Sequence, residues 1–205
     1  MTFMETYNVS RETFELLSRY VNVLTDWQAK MNLVSHNSLE QIWTRHIADS
    51  LQLYQHLNTD TKLVCDIGSG AGFPAIVLAI QSMVEQRATK FKLIESITKK
   101  TVYLNAVKTE LGLKNVEIIN ARSENLKLGP ANTVTARAVA ALDKLFSFAY
   151  PLTDKHTTLL FPKGKTYQAE IDEALKHWDF YVKVLKNEVE PEGVILKIGN
   201  LRKKR

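Results

Sequence analysis

One stretch in the first half of the chain, VCDIGSGAGFP at residues 64–74, restricts the possible folds more than any other feature. An apolar run at residues 63–67 carries Asp66 near its end. Three glycines follow at alternate positions: Gly68, Gly70 and Gly72. Glycine allows a sharp turn and the close approach of a ligand, and Pro74 suits the first turn of a helix. We therefore predict a buried parallel strand, a tight turn and a helix start whose free N–H groups face a ligand.

Helical and extended segments alternate around this stretch. Apolar residues at helical spacing predict two helices before it, at residues 10–35 and 38–57. Ser10 is suited to cap the first, and Ser38 opens a segment with capping-box spacing for the second. Strands are predicted at residues 62–67, 90–95, 116–119, 132–136 and 157–161. Further helices are predicted at residues 74–86, 97–111, 142–150 and 167–176.

Two more runs, at residues 178–186 and 193–198, predict a terminal antiparallel hairpin and bring the number of strands to seven. Strands that alternate with helices imply an α/β fold with a doubly wound, mostly parallel sheet, here with an N-terminal helical cap. The chain of 205 residues is 45% hydrophobic, which is enough for one sizeable core. We predict a single domain at residues 1–205, with a helical extension at 1–58 and a core at 59–205.

Charge and cysteine content bear on partners and compartment. The formal charge is +5, the pI is about 9.2, and the chain ends in LRKKR at residues 201–205. A basic surface fits an anionic partner such as nucleic acid, although basic tails are often only solvated. The single cysteine, Cys65, cannot form an internal disulfide, which favours a reducing cytoplasm. Residues 1–10 do not resemble a signal peptide, and no run is long enough to span a bilayer. We expect no metal, and a monomer by default.

Three kinds of ligand compete for the glycine loop. A phosphate-binding P-loop needs Gly-Lys-Ser/Thr after its glycines, whereas this chain has Gly-Phe-Pro at residues 72–74. A dinucleotide fingerprint needs Gly-x-Gly-x-x-Gly, whereas here the glycines alternate. An acid before the glycines suits a ligand with a cationic amino-acid group. Glu95, at the end of the second strand, can accept hydrogen bonds from ribose hydroxyls. The combination indicates S-adenosylmethionine.

Other segments, spread over nearly the whole chain, carry a specific resemblance. They are Trp27, Met31–Ser35, Arg45–Ser50, Asp66–Pro74, Leu93–Ser96, Lys99-Lys100, Ala121–Glu124, Thr135–Ala140 and Lys163-Gly164. On these residues the chain resembles the ribosomal RNA small-subunit methyltransferase G family, also called glucose-inhibited division protein B. The glycine loop is shared by many methyltransferases, whereas Arg-His-x-x-Asp-Ser and Ala-Arg-Ala are far more particular. The resemblance implies a class I, Rossmann-like fold and methyl transfer from S-adenosylmethionine to N7 of a guanine in 16S ribosomal RNA.

The resemblance also implies which residues bind the cofactor. Gly68 and Phe73 would contact it from the loop, beside Asp66 and Gly70. The other implied contacts are Glu95, Ser96 and Ile97 near the ribose and adenine, Ser123 and Glu124 on the adenine side, and Arg137 after the fourth strand. The family often carries aspartate at the position of Glu95 and Ala-Glu at residues 123–124. Both departures are conservative and leave the assignment unchanged.

Arg137 is the predicted catalytic residue, in an orienting or RNA-side role, because it follows a strand end where open α/β sheets bind ligands. The alternative is a structural ion pair with an acid such as Glu124. Arg45, His46 and Asp49 can face the site from the helical cap, but Arg45 and Asp49 also have the i,i+4 spacing of an ordinary helix ion pair. The remaining predicted RNA contacts are Lys99, Lys100, Arg122, Lys163 and Lys165. Each alone is more often a solvated side chain, so the prediction requires them to share one face.

The implied reaction needs no general base, because N7 of guanine has an available lone pair. Alignment of the nucleophile with the methyl group is then the main source of catalysis, worth roughly 7–11 kcal/mol at best. Two other functions stay open from the residues alone. One is a methyltransferase acting on a small molecule or a protein, and the other is a ribosome-assembly factor that binds RNA without activity.

Overall fold

The structure is a computed structural model and describes residues 2–204 of the chain. Four α-helices precede the sheet: α1 (Phe3–Tyr7), α2 (Arg11–Gln28), α3 (His36–Glu40) and α4 (Asp49–Tyr54). A π-helical turn at Trp43–Ala48 leads directly into α4. Ser10 caps α2 as expected, since its hydroxyl accepts a hydrogen bond from the backbone N–H of Thr13. The short helix α1 was not predicted, and its capping box joins Thr2 and Glu5.

Seven strands and four further helices follow. The strands are β1 (Leu63–Ile67), β2 (Lys90–Glu95), β3 (Val116–Asn120), β4 (Thr133–Ala136), β5 (Thr158–Lys163), β6 (Trp178–Lys186) and β7 (Val194–Lys203). The helices are α5 (Ala75–Val84), α6 (Thr98–Leu111), α7 (Leu142–Ala149) and α8 (Tyr167–Ala174). Short 3₁₀ turns lie at Ser123–Asn125 and Tyr150–Leu152. Outside the helical cap and β7, the predicted boundaries hold to within about two residues.

The strands form one sheet in the order β3-β2-β1-β4-β5-β7-β6. Strands β1 to β5 are parallel to their neighbours among themselves, whereas β7 is antiparallel to both β5 and β6. The predicted fold class, a doubly wound and mostly parallel sheet with a terminal antiparallel hairpin, is confirmed. Strand β1 lies between β2 and β4, so the loop after it sits where the direction of strand addition reverses. Open α/β sheets bind ligands at this point.

Buried apolar residues cover both faces of the sheet. One cluster includes Tyr20, Ile76 and Phe91, and the other includes Phe146 and Phe161. Helix α2 packs against α5 and α6, so the helical cap shares the first cluster with the sheet. Residues from both sides of the predicted boundary near residue 58 belong to that cluster. The division into an extension at 1–58 and a core at 59–205 therefore stays a prediction.

The second predicted helix is wrong in its start and its continuity. Ser35, not Ser38, is the N-cap of α3, because the Ser35 hydroxyl accepts from the backbone N–H of Ser38. The helix then ends at Gln41, whose backbone leaves the helical region. The chain resumes as the π-helical turn and α4. Turns of this kind interrupt regular i→i−4 bonding and are frequent at functional sites.

The basic C-terminal segment is not simply a solvated tail. Strand β7 extends to Lys203, five residues beyond its predicted end. Leu201 is buried in the second cluster, and Arg202 pairs with Asp179 in the ladder between β6 and β7. Burial of an alternate residue holds the strand in register and extends it. Met1 and Arg205, which belong to the predicted N-terminal segment and the basic tail, lie outside the described residues.

Cys65 is buried in β1 as a free thiol. Burial raises the pKa of this thiol to about 11, as expected for a small apolar residue and not for a nucleophile. Within residues 2–204, no helix combines the length and the apolar character that crossing a membrane would require. Over the same residues, no three His, Cys, Asp or Glu side chains are grouped so that they could hold a metal ion.

Candidate active site

The glycine loop after β1 is held in a shape that larger residues would resist. Gly68 has a φ of +64°, and a Cβ there would lie 2.8 Å from a methyl carbon of Val139. Gly72 has a φ of +101°, and a Cβ there would lie 2.7 Å from Ile76. Positive φ and close packing together explain glycine at these positions. Gly72 is buried, whereas Gly68 and Gly70 are partly exposed.

Glu95 joins this loop to the turn after β2. Its side chain is buried, and its two carboxylate oxygens accept hydrogen bonds from the backbone N–H groups of Gly70, at 2.9 Å, and Ile97, at 2.8 Å. A carboxylate has about four lone-pair positions, so acceptor capacity remains for a hydroxyl group. Sequence reasoning assigned Glu95 to a ligand, and the structure adds that it also shapes the loop.

Asp66 offers a buried oxygen that no protein group satisfies. One carboxyl oxygen, Oδ1, accepts from the Thr135 hydroxyl at 2.7 Å, whereas Oδ2 has no partner among the described residues. Burial raises the pKa of this carboxyl to about 7, against the opposing effect of the Thr135 hydrogen bond. Native structures rarely leave such an atom unpaired. Asp66 is only 1% exposed, so a polar group or a water molecule would have to enter the core beneath the loop to reach this oxygen.

Two tyrosine side chains, Tyr20 and Tyr103, hold the middle of the glycine loop by hydrogen bonds to its backbone, and we call this pair the tyrosine clamp. The hydroxyls of Tyr20, on α2, and Tyr103, on α6, both donate to the backbone carbonyl of Ala71, at 2.6 Å and 2.9 Å. Both side chains are fully buried, which raises the pKa of each hydroxyl. Sequence reasoning missed this clamp. The available signal was a tyrosine on an apolar helix stripe, whose hydroxyl must find a partner in the core.

Arg137 is locked in place at the end of β4. Its guanidinium donates to the backbone carbonyl of Arg45 at 3.0 Å, to the Asp49 carboxylate at 3.2 Å and to the Nδ1 atom of His46. It also lies over the ring of Phe73, 5.1 Å from the centroid. The guanidinium thus joins the helical cap to the glycine loop. Its ion-pair partner is Asp49, not Glu124 as the structural alternative assumed.

Arg45, His46 and Asp49 form a cluster around Arg137, and His46 is the neutral member of it. Its ring stacks on Phe73 with centroids 4.7 Å apart and planes at 14°. Burial, together with the charges of Arg137 and Arg45, lowers the pKa of His46 to about 3. Because a guanidinium only donates, Nδ1 of His46 must accept, and the ring proton then resides on Nε2.

Three cavities meet around the loop and Arg137. A large cleft of about 610 Å³ is lined by Arg45, His46, Asp49, Arg137, Lys163 and Glu190, among others. A loop cavity of about 270 Å³ is lined by Gly68, Gly70, Phe73, Lys100, His46 and Arg137, among others. A small cavity of about 100 Å³ is lined by Gly68, Ser96, Arg122, Ser123, Glu124 and Val139, among others. Gly68 separates the loop cavity from the small cavity, and Arg137 lies between the loop cavity and the large cleft.

Most of the predicted cofactor residues line the loop cavity or the small cavity, which share Gly68 and which together we call the cofactor groove. Asp66 and Glu95 lie beneath the loop, and Ile97 is half-exposed at the start of α6. An elongated ligand with an amino-acid end and a nucleoside end fits this arrangement, because the two smaller cavities flank Gly68. The division of roles among these residues stays a prediction.

The predicted RNA-side residues divide into two groups. Lys163 is engaged inside the protein, since its ammonium donates to the Ala140 carbonyl at 2.8 Å and to Glu170 at 2.7 Å. Arg45 pairs with Glu190 at 3.5 Å, and not with Asp49 four residues along the chain. The residues nearer to solvent are Lys99, Lys100, Lys165 and Arg122, the last paired loosely with Glu124 at 3.9 Å. Of these four, Lys100 and Arg122 line cavities of the groove.

Known proteins resemble the chain in sequence and in fold. The profile of a family described as rRNA small subunit methyltransferase G (GidB) matches residues 13–192. The Ribosomal RNA small subunit methyltransferase G of Cereibacter sphaeroides is 39% identical over 194 residues, which cover 95% of this chain and 94% of that protein.

Two solved structures share the fold at low sequence identity. The ribosomal protein L11 methylase from Lactobacillus delbrueckii subsp. bulgaricus aligns with a TM-score of 0.60 and 13% identity, over 78% of this chain and 79% of that one. TYW2 from M. jannaschii, solved in complex with AdoMet, aligns with a TM-score of 0.58 and 18% identity, over 86% of this chain and 80% of that one. At such identities the likeness shows the architecture alone.

Proposed function

Because the chain belongs to the rRNA small subunit methyltransferase G family, we propose that it transfers a methyl group from S-adenosylmethionine to N7 of a guanine in 16S ribosomal RNA. The observation that carries this proposal is the position of Arg137. Its guanidinium is fixed between the loop cavity, which suits the cofactor, and the large cleft, which has room for a purine. A methyl group must pass between two such ligands held side by side.

The residues of the groove fit S-adenosylmethionine. Asp66 would accept from the amino group of the ligand, directly or through water. Gly68, Gly70 and Phe73 would hold the methionine part, and Glu95 the ribose hydroxyls. The remaining contacts would come from Ser96, Ile97, Ser123 and Glu124 on the nucleoside side. When bound, this cofactor supplies an electrophilic methyl group on a positively charged sulfur.

The protein's own contribution is orientation. Three of the five N–H donors of the Arg137 guanidinium are engaged, so two remain to orient an oxygen of the substrate. His46 stays neutral beside it and adds no positive charge where charge passes from sulfur to the guanine ring. Asp49 balances the charge of Arg137. No side chain needs to remove a proton before attack.

The outer basic residues are proposed to contact phosphates of the RNA. Arg45, Lys99, Lys100, Arg122 and Lys165 would add attraction that falls as salt rises. His46 and Lys163 would act differently, as parts of the internal frame. A monomer, a cytoplasmic location, and the choice between free RNA and an assembled small subunit stay predictions.

The test is methyl transfer with a labelled donor. The protein is incubated with labelled S-adenosylmethionine and either 30S subunits or naked RNA from a strain that lacks this methyltransferase, and the label is mapped. We expect label on one guanine of 16S RNA, released as N7-methylguanine, from at least one of the two substrates. Label on a protein or a small metabolite, and none on RNA, would refute the proposal. A Gly68→Asp variant supplies the matched inactive control.

A further inference from the structure

The turn between β6 and β7, at residues 187–193, reaches into the cluster around Arg137, although its residues predict only a connection. Asn187 begins this turn and is only 5% exposed. Its side-chain oxygen accepts from the backbone N–H groups of Val189 and Glu190, both at 2.8 Å. Its side-chain nitrogen donates to Oδ1 of Asp49 at 2.9 Å. One amide therefore shapes the turn and contacts the helical cap 138 residues away in sequence.

The orientation of the Asn187 amide follows from its neighbours. Backbone N–H groups can only donate, so the amide oxygen must face Val189 and Glu190. The NH₂ group is then directed at Asp49, which as a carboxylate can only accept. Gln52 completes the arrangement, because its NH₂ group donates to both Asp49, at 2.8 Å, and Asn187, at 2.9 Å, while its oxygen accepts from the backbone N–H of Glu188.

These bonds decide how Asp49 is presented to Arg137. Oδ1 of Asp49 accepts from two amides, Asn187 and Gln52, and this leaves Oδ2 facing the guanidinium at 3.2 Å. Asp49 is 8% exposed, so water cannot readily replace a lost partner. Without the amides, the carboxylate is free to rotate and Arg137 loses a fixed acceptor.

We propose that Asn187 is a positioning residue for methyl transfer, which acts through Asp49 to hold Arg137 between the loop cavity and the large cleft. The inference rests on the proposed function for its effect on turnover, but its effect on Arg137 is independent of the substrate. It makes the C-terminal hairpin a part of the active site. Asn187 lines the large cleft, but it lines neither the loop cavity nor the small cavity.

The decisive variant is Asn187→Ser. A serine hydroxyl can still accept from the backbone N–H groups of the turn, but it is too short to reach Asp49. We expect the kcat for RNA methylation to fall by about 10- to 100-fold, the scale for a misplaced catalytic group. The affinity for S-adenosylmethionine should stay close to that of the unchanged protein, whereas the melting temperature should fall, because the buried Asp49 carboxylate loses a hydrogen bond. Gln52→Met, which removes the other amide donor to Asp49, should act in the same direction.

Asn132→Ala is the matched control. The Asn132 side-chain oxygen also joins distant segments, since it accepts from the backbone N–H groups of Lys62 and Leu63, but it lies away from the groove. Its loss should lower the melting temperature and leave kcat unchanged. In an Arg137→Ala background, Asn187→Ser should cause little further loss, because its effect passes through Arg137.

A chemical readout separates this inference from the proposed function. Phenylglyoxal modifies accessible arginines, and modification of Arg137 can be followed by mass spectrometry without RNA. We expect it to proceed several-fold faster in the Asn187→Ser variant. An unchanged rate, an unchanged kcat in an active protein, or losses that multiply in the Arg137→Ala background would each overturn the inference. Faster modification in a protein that does not methylate RNA would support it while refuting the proposed function.

Discussion

The glycine loop and the cluster around Arg137 lie side by side, yet they are assembled in different ways. The loop comes from one continuous segment, residues 66–74, which connects β1 to α5. The cluster takes Asp49 from the helical cap, Arg137 from the end of β4 and Asn187 from the terminal hairpin. The first region is a backbone segment that Glu95, Tyr20 and Tyr103 hold from outside, whereas the second consists of side chains from distant segments that bond to one another.

The two regions also perturb their titratable groups in opposite ways. Burial beneath the loop favours the neutral form of Asp66 and raises its pKa. Burial beside Arg137 favours the neutral form of His46 and lowers its pKa. In both places the protein keeps a charge out of its interior unless a ligand or a partner compensates for it. Changes in the loop should therefore affect cofactor binding, and changes in the cluster should affect turnover.

The largest effect is expected from Gly68→Asp. The new Cβ would lie 2.8 Å from a methyl carbon of Val139, at a φ of +64° that aspartate resists. Overpacking of this kind costs about 1–3 kcal/mol, and a carboxylate in the loop repels the carboxylate of the ligand, so affinity for S-adenosylmethionine should fall by about 100-fold. Isothermal titration calorimetry measures this affinity. Gly112→Asp is the control, because Gly112 has a similar φ of +65° but open space around it; equal losses in both variants would contradict the loop assignment.

Arg137→Ala should have the next largest effect, confined to turnover. Loss of an orienting donor costs about 100-fold in kcat/KM, whereas cofactor affinity should change by less than about threefold because the loop is intact. Arg137→Lys should recover little, since an ammonium cannot reach the three acceptors that the planar guanidinium contacts. Steady-state kinetics with 16S RNA gives the result. Unchanged turnover and RNA binding would show that Arg137 is only structural.

A smaller effect is expected when the tyrosine clamp is removed. Each hydroxyl bond to the Ala71 carbonyl should contribute about 1 kcal/mol, so the Tyr20→Phe, Tyr103→Phe double variant should bind the cofactor up to about 30-fold more weakly. Either single change should cost less, because the other hydroxyl still occupies the carbonyl. Tyr54→Phe is the control, since that hydroxyl donates to Glu85 at 2.8 Å, outside the groove. A loss of stability in the double variant with unchanged binding would contradict a role in shaping the loop.

The two regions should also differ in the pH dependence of stability. The pKa of Asp66 is raised from 3.8 to about 7 on folding, so the stability that this group contributes at low pH is lost as the pH rises through about 7. The pKa of His46 is lowered from 6.5 to about 3, so its contribution is present above pH 6.5 and is lost as the pH falls toward 3.

Asp66→Asn should therefore flatten the loss of unfolding free energy between pH 4 and 7, and His46→Gln should flatten the loss at acidic pH. Denaturant titrations at several pH values measure the free energy of unfolding over both pH ranges. The same change of slope in both variants would show that the two regions do not differ in this way.

The parts predicted from sequence are those that depend on neighbouring residues. The strand, the alternate glycines and the helix after Pro74 form a short continuous segment, and their burial follows the apolar pattern. The error at the start of α3 is local, because Ser35 and Ser38 are both capable caps and Ser35 accepts the hydrogen bond. The error at the end of β7 depends on a distant contact, because Leu201 is buried in the second cluster and the strand runs on to Lys203.

The sequence by itself determined the doubly wound fold and the nature of the loop, because periodicity and glycine spacing act over a few residues. It also identified Arg137 as a residue of the site. Only the tertiary structure decided what holds that arginine, since Asp49, Arg137 and Asn187 are separated by 88 and 50 positions and meet only when the sheet is complete. Side-chain hydrogen bonds have no periodic signal along the chain, so their partners become known only when folding brings the segments together.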